Sequence, residues 1–437
     1  MKKLLSVCLA LIMVLSLCCL ASAEDEEINL VITTSLYVEE PHQKALDALI
    51  AAYKKVKPNV NISVYGANYI SYFDNITAEI VANTEPDIIQ MYQDNIARYD
   101  SIRLGGTFVD LTPYIEGTEY EKLTSQEYCK VDGKYKAISS YAASTSAIFY
   151  RKSLLQAADI DPATIVTWDD LRDACIKLTD GNRYGIGLIV AAHTFTANEW
   201  ARMIARPISG GVYFKGNEGI DAGYTIENIN ANHPANVYAA EFWTKLIQED
   251  KCARIVDTKG NARELFWNGE LAFNHDGSWF VGMCEARDPA LMDDIGVIPV
   301  PKVVYNGETY KANPTLYAVV SCVSNASKHP EEAIAFLQWM TTPEAQELIE
   351  VSGMIPSNAK YVEDSNYAER HELAYKISSF QNSVYGDVLV SDPAIAEQGA
   401  LQSILVDCCQ EIFTGAIGAQ EGLNEAAEQM KALLSEE

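Results

Sequence analysis

The 437-residue sequence lacks the short motifs that mark the common catalytic and metal sites. It contains no G-x-S-x-G elbow, no H-E-x-x-H metal motif and no G-x-x-x-x-G-K-[ST] phosphate loop. Only six histidines occur, and no two of them have the i, i+4 spacing of a helical pair of metal ligands. The sequence therefore gives no indication of an enzyme, and we expect no catalytic residue, metal or cofactor.

Positive charge is also scarce in this sequence. The chain has 33 lysines and arginines against 60 aspartates and glutamates, so its formal net charge is -27. Such a charge repels the phosphates of nucleic acids and the headgroups of anionic lipids. We therefore exclude nucleic acid as a partner.

Residues 1–23 have the composition of a signal peptide. Lys2 and Lys3 precede an uncharged run from Leu4 to Leu20, and the small residues Ala21–Ala23 follow that run. A signal peptidase recognises this order of charge, apolar run and small residues. We therefore expect cleavage after residue 23 and an exported mature chain, periplasmic or associated with the cell surface.

Two other interpretations of this leader stay open. One is an uncleaved membrane anchor, which is disfavoured because the apolar run barely reaches the length that spans a bilayer. The other is a lipid on Cys18 or Cys19, which is disfavoured because the large Leu17 precedes Cys18. Beyond the leader no stretch of eighteen consecutive apolar residues follows, so we expect no membrane-spanning segment in the mature chain.

The cysteines form no recognisable metal or redox motif. Ten occur in the chain, and none of those beyond the leader forms a C-x-x-C pair. We expect most of these later cysteines to be small buried apolar residues, although an exported chain is compatible with one or two disulfides. They are Cys129, Cys175, Cys252, Cys284, Cys322, Cys408 and Cys409.

Strand and helix patterns alternate from the start of the mature chain. The sequence predicts strands at Ile28–Thr33, Val60–Val64 and Asp87–Ile89, with helices at His42–Val56 and Tyr72–Ala82 between them. This β-α-β-α-β order is typical of a parallel sheet with helices on its faces.

The same alternation continues further along the chain. A helix is predicted at Trp168–Leu178 with Thr167 as its N-cap, and another at Ala235–Ile247. Trp168 and Trp243 lie on the apolar faces of these helices, so we expect both in the core. The glycines of Tyr184–Gly187 predict a turn.

Several segments together resemble the extracellular solute-binding proteins of ABC importers, the group that includes the maltodextrin-binding proteins. Any one of these segments is a weak signal of the family by itself. The resemblance depends on their occurrence together, in this order, behind an export signal. The segments are Tyr53–Val60, Glu85–Ile89, Phe149–Leu155, Thr167–Leu171, Phe266–Phe273, Asp276–Trp279 and Gly353–Ser357.

The resemblance implies an α/β fold of two lobes with a hinged cleft, in which the lobes close on a solute. Lobe 1 is then expected to contain residues 24–138 and 300–352. Lobe 2 is expected to contain residues 139–299 and 353–437.

The candidate site begins with the segments that follow two predicted strands. Ser35 and Tyr37 come after the first strand, and Tyr92 and Asp94 come after the third. The carboxyl ends of parallel strands meet at one edge of a sheet, where ligands bind. An aromatic ring and a carboxylate suit the apolar face and the hydroxyl groups of a sugar.

The resemblance assigns further roles to single residues. Asp94 matches a carboxylate of the family that accepts sugar hydroxyls, and Trp279 matches its stacking tryptophan. The aromatic residue of the family near the third strand falls on Met91 or Tyr92, depending on a slip of one residue. Packing roles for Tyr92 and Trp279, and a helix-capping role for Asp94, stay open.

Other predicted cleft residues are scattered along the chain. We expect Tyr141 at the first crossing between the lobes and Met354 at the third crossing. We expect His193, Asn198 and Trp200 in the segment after an apolar run, and Asp276 beside Trp279.

These features predict a monomeric protein that binds a sugar or oligosaccharide outside the cytoplasm and delivers it to the permease subunits of an ABC transporter. The alternatives are a binding protein for another solute (a polyol, phosphodiester or peptide), a surface adhesion or sensor module, and a secreted carbohydrate-active hydrolase. A hydrolase would need two carboxylates at a fixed separation across the cleft. The few basic residues in the predicted rims argue against a strongly anionic ligand.

Overall fold

The computed structural model describes residues 26–215, 224–314, 317–385, 395 and 397–435. The predicted signal peptide, including Cys18 and Cys19, lies outside these residues. No helix in the described ranges is long and apolar enough to cross a membrane. All seven cysteines beyond the leader are free thiols, and all of them except Cys408 are buried.

The described strands are, in chain order, β1 (Ile28–Thr34), β2 (Val60–Tyr65), β3 (Ile88–Tyr92), β4 (Lys130–Val131), β5 (Lys134–Tyr135), β6 (Ile138–Ser144), β7 (Ser146–Arg151), β8 (Tyr184–Ile189), β9 (Ala253–Val256), β10 (Leu271–Gly277), β11 (Ile295–Pro299), β12 (Val303–Tyr305), β13 (Glu308–Tyr310) and β14 (Tyr317–Val323).

The described α-helices are, in chain order, α1 (Glu40–Val56), α2 (Tyr69–Ala82), α3 (Ile96–Asp100), α4 (Thr112–Ile115), α5 (Lys152–Ala157), α6 (Trp168–Leu178), α7 (Thr194–Trp200), α8 (Arg206–Ser209), α9 (Pro234–Gln248), α10 (Lys259–Trp267), α11 (Trp279–Arg287), α12 (Pro330–Trp339), α13 (Pro343–Ile349), α14 (Ala359–Asp364), α15 (Tyr367–Arg370), α16 (Glu372–Ser383), α17 (Gln398–Thr414) and α18 (Ala419–Ser435).

These elements form two α/β lobes, each built on a five-stranded sheet. The first sheet has the order β2-β1-β3-β14-β6, and the second has the order β11-β7-β10-β8-β9. β1 pairs in parallel with β2 and β3, which confirms the predicted β-α-β-α-β unit. In the second sheet β8 pairs in parallel with β9 and β10. The predicted two-lobed α/β fold is confirmed.

One strand in each sheet runs against its neighbours. β14 is antiparallel to β3 and β6, and β7 is antiparallel to β10 and β11. β7 follows β6 of the other sheet, and β14 follows the β12–β13 hairpin that extends from the second lobe. The chain therefore enters each sheet from the opposite lobe through its antiparallel strand.

Local sequence signals explain where helices begin and what they bury. α1 presents the buried side chains of Leu46, Leu49 and Tyr53 on one face. α6 begins at Trp168 because the Thr167 and Asp170 side chains form a reciprocal capping box. The rings of Trp168 and Trp243 meet edge to face at 5.6 Å inside the second lobe, which confirms both as core residues.

Two separate apolar cores define the lobes. The first core combines residues from 28 to 141 with residues from 318 to 354. The second combines residues from 147 to 312 with residues from 374 to 430. The predicted limits at 138/139 and 299/300 both come too early in the chain. β6 follows the first limit but still pairs within the first sheet, and Val303 follows the second limit but still packs in the second core.

The third crossing between the lobes packs tightly against α11. A β-carbon on Gly282 of α11 would lie 2.9 Å from the backbone nitrogen of Gly353, which has φ of 74°. Gly353 adopts a left-handed conformation that glycine tolerates well. The two glycines therefore allow a backbone-to-backbone contact beside the hinge.

The turn predicted at Tyr184–Gly187 is wrong, because these residues form the start of β8. A β-carbon on Gly185 would lie 2.2 Å from that of Cys175 on α6. A β-carbon on Gly187 would lie 2.8 Å from the side chain of Leu271 on β10. These glycines serve close packing inside the second lobe rather than chain reversal.

Candidate functional site

The two sheets present their switch points to the same cavity. β1 pairs in parallel with β2 on one side and with β3 on the other, and β8 pairs in parallel with β9 and β10 in the same way. The strand order therefore reverses direction at the carboxyl ends of β1 and β8. Ligands of open α/β sheets bind at such points. A cavity of about 460 Å³ lies between the lobes there, a size typical of small-molecule sites.

Three aromatic side chains supply apolar surface to this cavity. Tyr92 comes from the end of β3, and Phe195 and Trp279 come from the second lobe. The Trp279 ring packs closely against Gly277, where a β-carbon would lie 2.3 Å from the ring carbons. Trp279 also packs against the apolar cores of both lobes. The imidazole of His193 stacks on Phe195 at 5.0 Å.

A buried ion pair forms the floor of the cavity in the second lobe. Arg263 of α10 donates from Nε and Nη2 to the two carboxylate oxygens of Asp276, at 2.8 and 3.1 Å. The backbone N–H of Gly277 donates to the same carboxylate at 2.9 Å. Burial by itself would raise the pKa of Asp276, but the Arg263 guanidinium holds that pKa below its usual value.

Arg263 also reaches across the cleft to the first lobe. Its Nη1 donates to Oε1 of Glu39, which precedes α1, at 3.2 Å. Burial raises the pKa of Glu39, the nearby Arg263 lowers it, and Asp276 raises it again, with a net rise. His42 lies with Nε2 3.4 Å from Glu39 Oε2, and burial lowers the pKa of His42 to about 3. His42 is therefore uncharged at neutral pH.

A second group of charges lies wholly within the second lobe. Lys259 at the start of α10 forms an ion pair with Glu199 of α7 and donates to the His275 carbonyl at 2.5 Å. The Nδ1 atom of His275 lies 3.2 Å from Glu199 Oε1. Burial would raise the pKa of Glu199, yet Lys259 keeps it below its usual value. These charges are satisfied before any ligand arrives.

Several of the predicted residues come together in this cavity. His193 caps α7 by accepting the Phe195 N–H at 3.1 Å, and burial lowers the pKa of His193 to about 4. The predicted residues that line the cavity are Ser35, Tyr92, His193, Asp276, Trp279 and Met354. Their roles in binding stay predictions.

Asp94 and Asn198 lie beside this cavity rather than in it. Both line a smaller space of about 280 Å³, which shares Tyr92, His193 and Phe195 with the main cavity. The Asp94 carboxylate accepts the side-chain N–H of Asn95 at 2.8 Å. The two spaces therefore meet at the Tyr92 and Phe195 rings.

Three predicted site residues point elsewhere, and we correct their placement here. The Tyr37 hydroxyl donates to Asp47 of α1 at 2.9 Å, on the outside of the first lobe. Tyr141 is buried in the first core, and this burial raises its pKa to about 12. Trp200 is fully buried and donates from Nε1 to the Cys409 thiol at 3.1 Å. A step of one residue along a strand or helix turns a side chain from cleft to core.

The predictions from sequence missed the polar residues of α10 and Glu39, which ends the 3₁₀ turn Ser35–Val38. Thr258 caps α10 directly after β9, and Lys259 and Arg263 lie four residues apart on one face of that helix. The strand-end rule that found Ser35 would have found them, had β9 been predicted. Further lining residues that were missed are Glu39, Asn68 and Phe195.

Comparison with protein families and relatives agrees with this geometry. Residues 39–347 match the family described as bacterial extracellular solute-binding protein. An uncharacterized ABC transporter extracellular-binding protein of Pyrococcus horikoshii is 22% identical over 395 residues, covering 89% of this chain and 83% of that protein. The arabinooligosaccharide-binding protein of Bacillus subtilis is 25% identical over 297 residues, covering 65% of this chain and 61% of that protein.

Solved structures share the fold over nearly the whole chain. A solute-binding protein of Thermotoga lettingae bound to tagatose has a TM-score of 0.78 at 17% identity, covering 93% of this chain and 100% of that one. The GacH receptor of Streptomyces glaucescens, solved unliganded and with acarbose, has a TM-score of 0.76 at 19% identity, covering 94% and 99%. A maltose-bound protein of T. maritima has a TM-score of 0.77 at 18% identity, covering 93% and 100%.

Proposed function

The chain belongs to the bacterial extracellular solute-binding proteins, and we propose that it captures a sugar or oligosaccharide and delivers it to the permease subunits of an ABC importer. The observation that carries this proposal is the cavity between the lobes, which combines aromatic faces with charged and amide hydrogen-bonding groups. Flat apolar surface and planar polar groups together suit the two kinds of surface on a sugar ring.

The chemistry of the lining supports a neutral ligand rich in hydroxyl groups. In the part of the chain that the structure describes, the two cations that line the cavity, Lys259 and Arg263, already pair with carboxylates, so neither is available as the free partner of an anion. The named ligands of relatives, which include arabinooligosaccharides, tagatose, maltose and acarbose, also support a sugar.

The arrangement of the lobes supports capture by closure. Ser35 and Tyr92 belong to one lobe, and Phe195 and Asp276 belong to the other, so a solute contacts both sets only when the lobes are together. Ligand binding then shifts the population towards the closed form. A permease that recognises the closed form would thereby receive loaded protein.

The proposal includes export and binding without turnover. The leader of residues 1–23 supports export, with a lipid on Cys18 or Cys19 disfavoured. That the mature chain is a monomer is part of the proposal. A glycosidase needs one carboxylic acid that stays protonated near neutral pH, opposite a second carboxylate. Of the two carboxylates that line the cavity among the described residues, Asp276 has a pKa held below its usual value by Arg263, and Glu39 has a raised pKa. An assay for new reducing ends therefore separates a binder from a hydrolase.

A thermal-shift screen of the mature chain from Glu24 tests this function. The panel contains arabinooligosaccharides, maltooligosaccharides, tagatose, ribitol and short peptides, each in large excess. A ligand at about a hundred times its Kd adds about 2.7 kcal/mol to the free energy of unfolding, so one sugar group should raise Tm. A rise with peptides alone would contradict the substrate class. New reducing ends in the same mixtures would contradict binding without turnover.

A further inference from the structure

One guanidinium at the cleft serves two carboxylates from different lobes. Asp276 of the second lobe takes the paired hydrogen bonds from Nε and Nη2 of Arg263. Glu39 of the first lobe receives a single bond from Nη1 of the same residue. Arg263 is 12% exposed and Asp276 is 1% exposed in their side chains, so the pair lies away from water. Two negative charges thus share one positive charge where the lobes meet.

The neighbouring groups do not balance this charge. On α1, His42 is uncharged at neutral pH because its pKa is about 3. On α10, Lys259 is committed to Glu199 and to the carbonyl of His275. On β10, the ring of His275 faces Glu199, and its pKa is lowered by burial. The contact of Glu39 with the second lobe therefore leaves an excess negative charge at the cavity.

Glu39 is also short of hydrogen-bond donors. A carboxylate has about four acceptor positions. Among the described residues Arg263 donates one hydrogen bond to the Glu39 carboxylate, and Nε2 of His42 lies 3.4 Å from Oε2 without forming a hydrogen bond. Asp276 differs, because it accepts from Arg263 twice and from the Gly277 N–H. Since Glu39 lines the cavity, its free acceptor positions are open to a ligand.

We propose that Glu39 makes closure of the lobes conditional on a ligand with hydroxyl groups. The hydroxyls of a bound sugar donate to the free acceptor positions of Glu39. Without these donors the closed form holds the Glu39 carboxylate, which is 30% exposed, and the Asp276 carboxylate against one guanidinium, and this excess of negative charge between the lobes costs free energy. The inference rests on the proposed function for the nature of the ligand, but its effect on the ligand-free chain does not.

The protonation of Glu39 supports this direction. Burial raises the pKa of Glu39 more than Arg263 lowers it. In an open form the carboxyl faces water and has its ordinary pKa. A carboxyl with the higher pKa in the closed form binds a proton on closing, so acidification favours closure. Removal of the charge by mutation should act in the same direction.

Small-angle X-ray scattering of the ligand-free mature chain tests the inference. The samples at pH 7.5 are the wild type, Glu39→Gln, and Glu40→Gln as the matched control. Glu40 forms an exposed ion pair with Lys44 and does not line the cavity. We expect Glu39→Gln to have the smaller radius of gyration, with a closed-to-open ratio at least about fivefold above that of the wild type. Glu40→Gln should match the wild type.

Acid titration and ligand addition complete the test. Between pH 7.5 and 4.5 the wild type should become compact like Glu39→Gln, while Glu39→Gln should change little; far-UV circular dichroism verifies that both stay folded. Arabinotriose and maltotriose should compact the wild type more than Glu39→Gln.

Two outcomes would overturn the inference. Equal radii for the wild type and Glu39→Gln at both pH values would show that Glu39 has no role in closure. A larger radius for Glu39→Gln would show that the contact with Arg263 is a simple attraction. If no sugar binds, the proposed function fails, and the ligand-free measurements still decide the role of Glu39.

Discussion

The two walls of the cleft differ in where their charges find partners. In the second lobe, Lys259 pairs with Glu199 and Arg263 pairs with Asp276, so both cations are satisfied within that lobe. In the first lobe, the charged lining residue Glu39 has its partner on the opposite lobe. The second wall is therefore ordered whether the cleft is open or closed. The first wall depends on closure.

This difference has a consequence for binding. A wall whose side chains are already held by ion pairs loses little conformational freedom when a ligand arrives. The second lobe thus supplies a rigid surface, and Trp279 forms part of it. The first lobe supplies the group whose environment changes, which is where sensitivity to ligand and pH should concentrate.

The substitution Asp276→Asn should break the rigid wall and have the largest effect. It leaves the buried Arg263 guanidinium with Glu39 as its remaining carboxylate, and the loss of the paired bonds to Asp276 costs about 3 kcal/mol in the free energy of unfolding, the lower end for a broken buried ion pair. Urea denaturation at pH 7 measures this loss. Asp180→Asn is the control, because its contact with Arg183 is exposed and 3.8 Å long, with an expected cost of about 0–1 kcal/mol. Equal losses in the two variants would contradict the prediction.

The substitution Trp279→Ala should weaken ligand affinity with the rigid ion pairs intact. Removal of a large aromatic contact costs about 2 kcal/mol of binding free energy, or roughly 30-fold in Kd. Calorimetry with the sugar that gives the largest thermal shift measures the loss. Trp339→Ala is the matched control, since that ring stacks on Phe336 at 6.2 Å in the first core. A similar loss of affinity in the control would assign the effect to general destabilisation.

The substitution His42→Leu should make the first lobe less sensitive to acid. The pKa of His42 is about 3 in the fold and near 6.5 when unfolded, so the unfolded chain binds more protons below pH 6.5. The free energy of unfolding therefore falls as the pH drops from 6.5 towards 3, by about 1.4 kcal/mol per pH unit at most. Urea denaturation at pH 7, 6 and 5 should show a shallower loss in His42→Leu. An unchanged slope would contradict this account.

The substitution Tyr37→Phe should have the smallest effect on binding. Its hydroxyl donates to Asp47 outside the cavity, so the Kd for the sugar should stay within about twofold of the wild type. Tyr92→Ala, which removes a lining ring, should weaken binding by about tenfold in the same titration. A marked loss with Tyr37→Phe would place that residue at the ligand after all.

The sequence predicted local structure better than it predicted contacts. The helix that begins at Trp168 was predicted over its full length, because a capping box marks its start and an apolar stripe runs along it. Ser35 and Tyr92 were found because they lie at the carboxyl ends of the two parallel strands β1 and β3, Ser35 just after β1 and Tyr92 as the last residue of β3. Tyr141 and Trp200 were assigned to the cleft, but the direction of a side chain depends on which face packs against the neighbouring element.

The sequence by itself predicted the export signal and determined the alternation of strands and helices and the excess of negative charge. These features depend on residues close together in the chain or on composition alone. Only the tertiary structure decided that Arg263 is shared by Asp276 and by Glu39, which is 224 positions away in the chain. This pairing depends on how two separately packed lobes meet. The burial that raises the pKa of Glu39 likewise arises from the contact between the lobes.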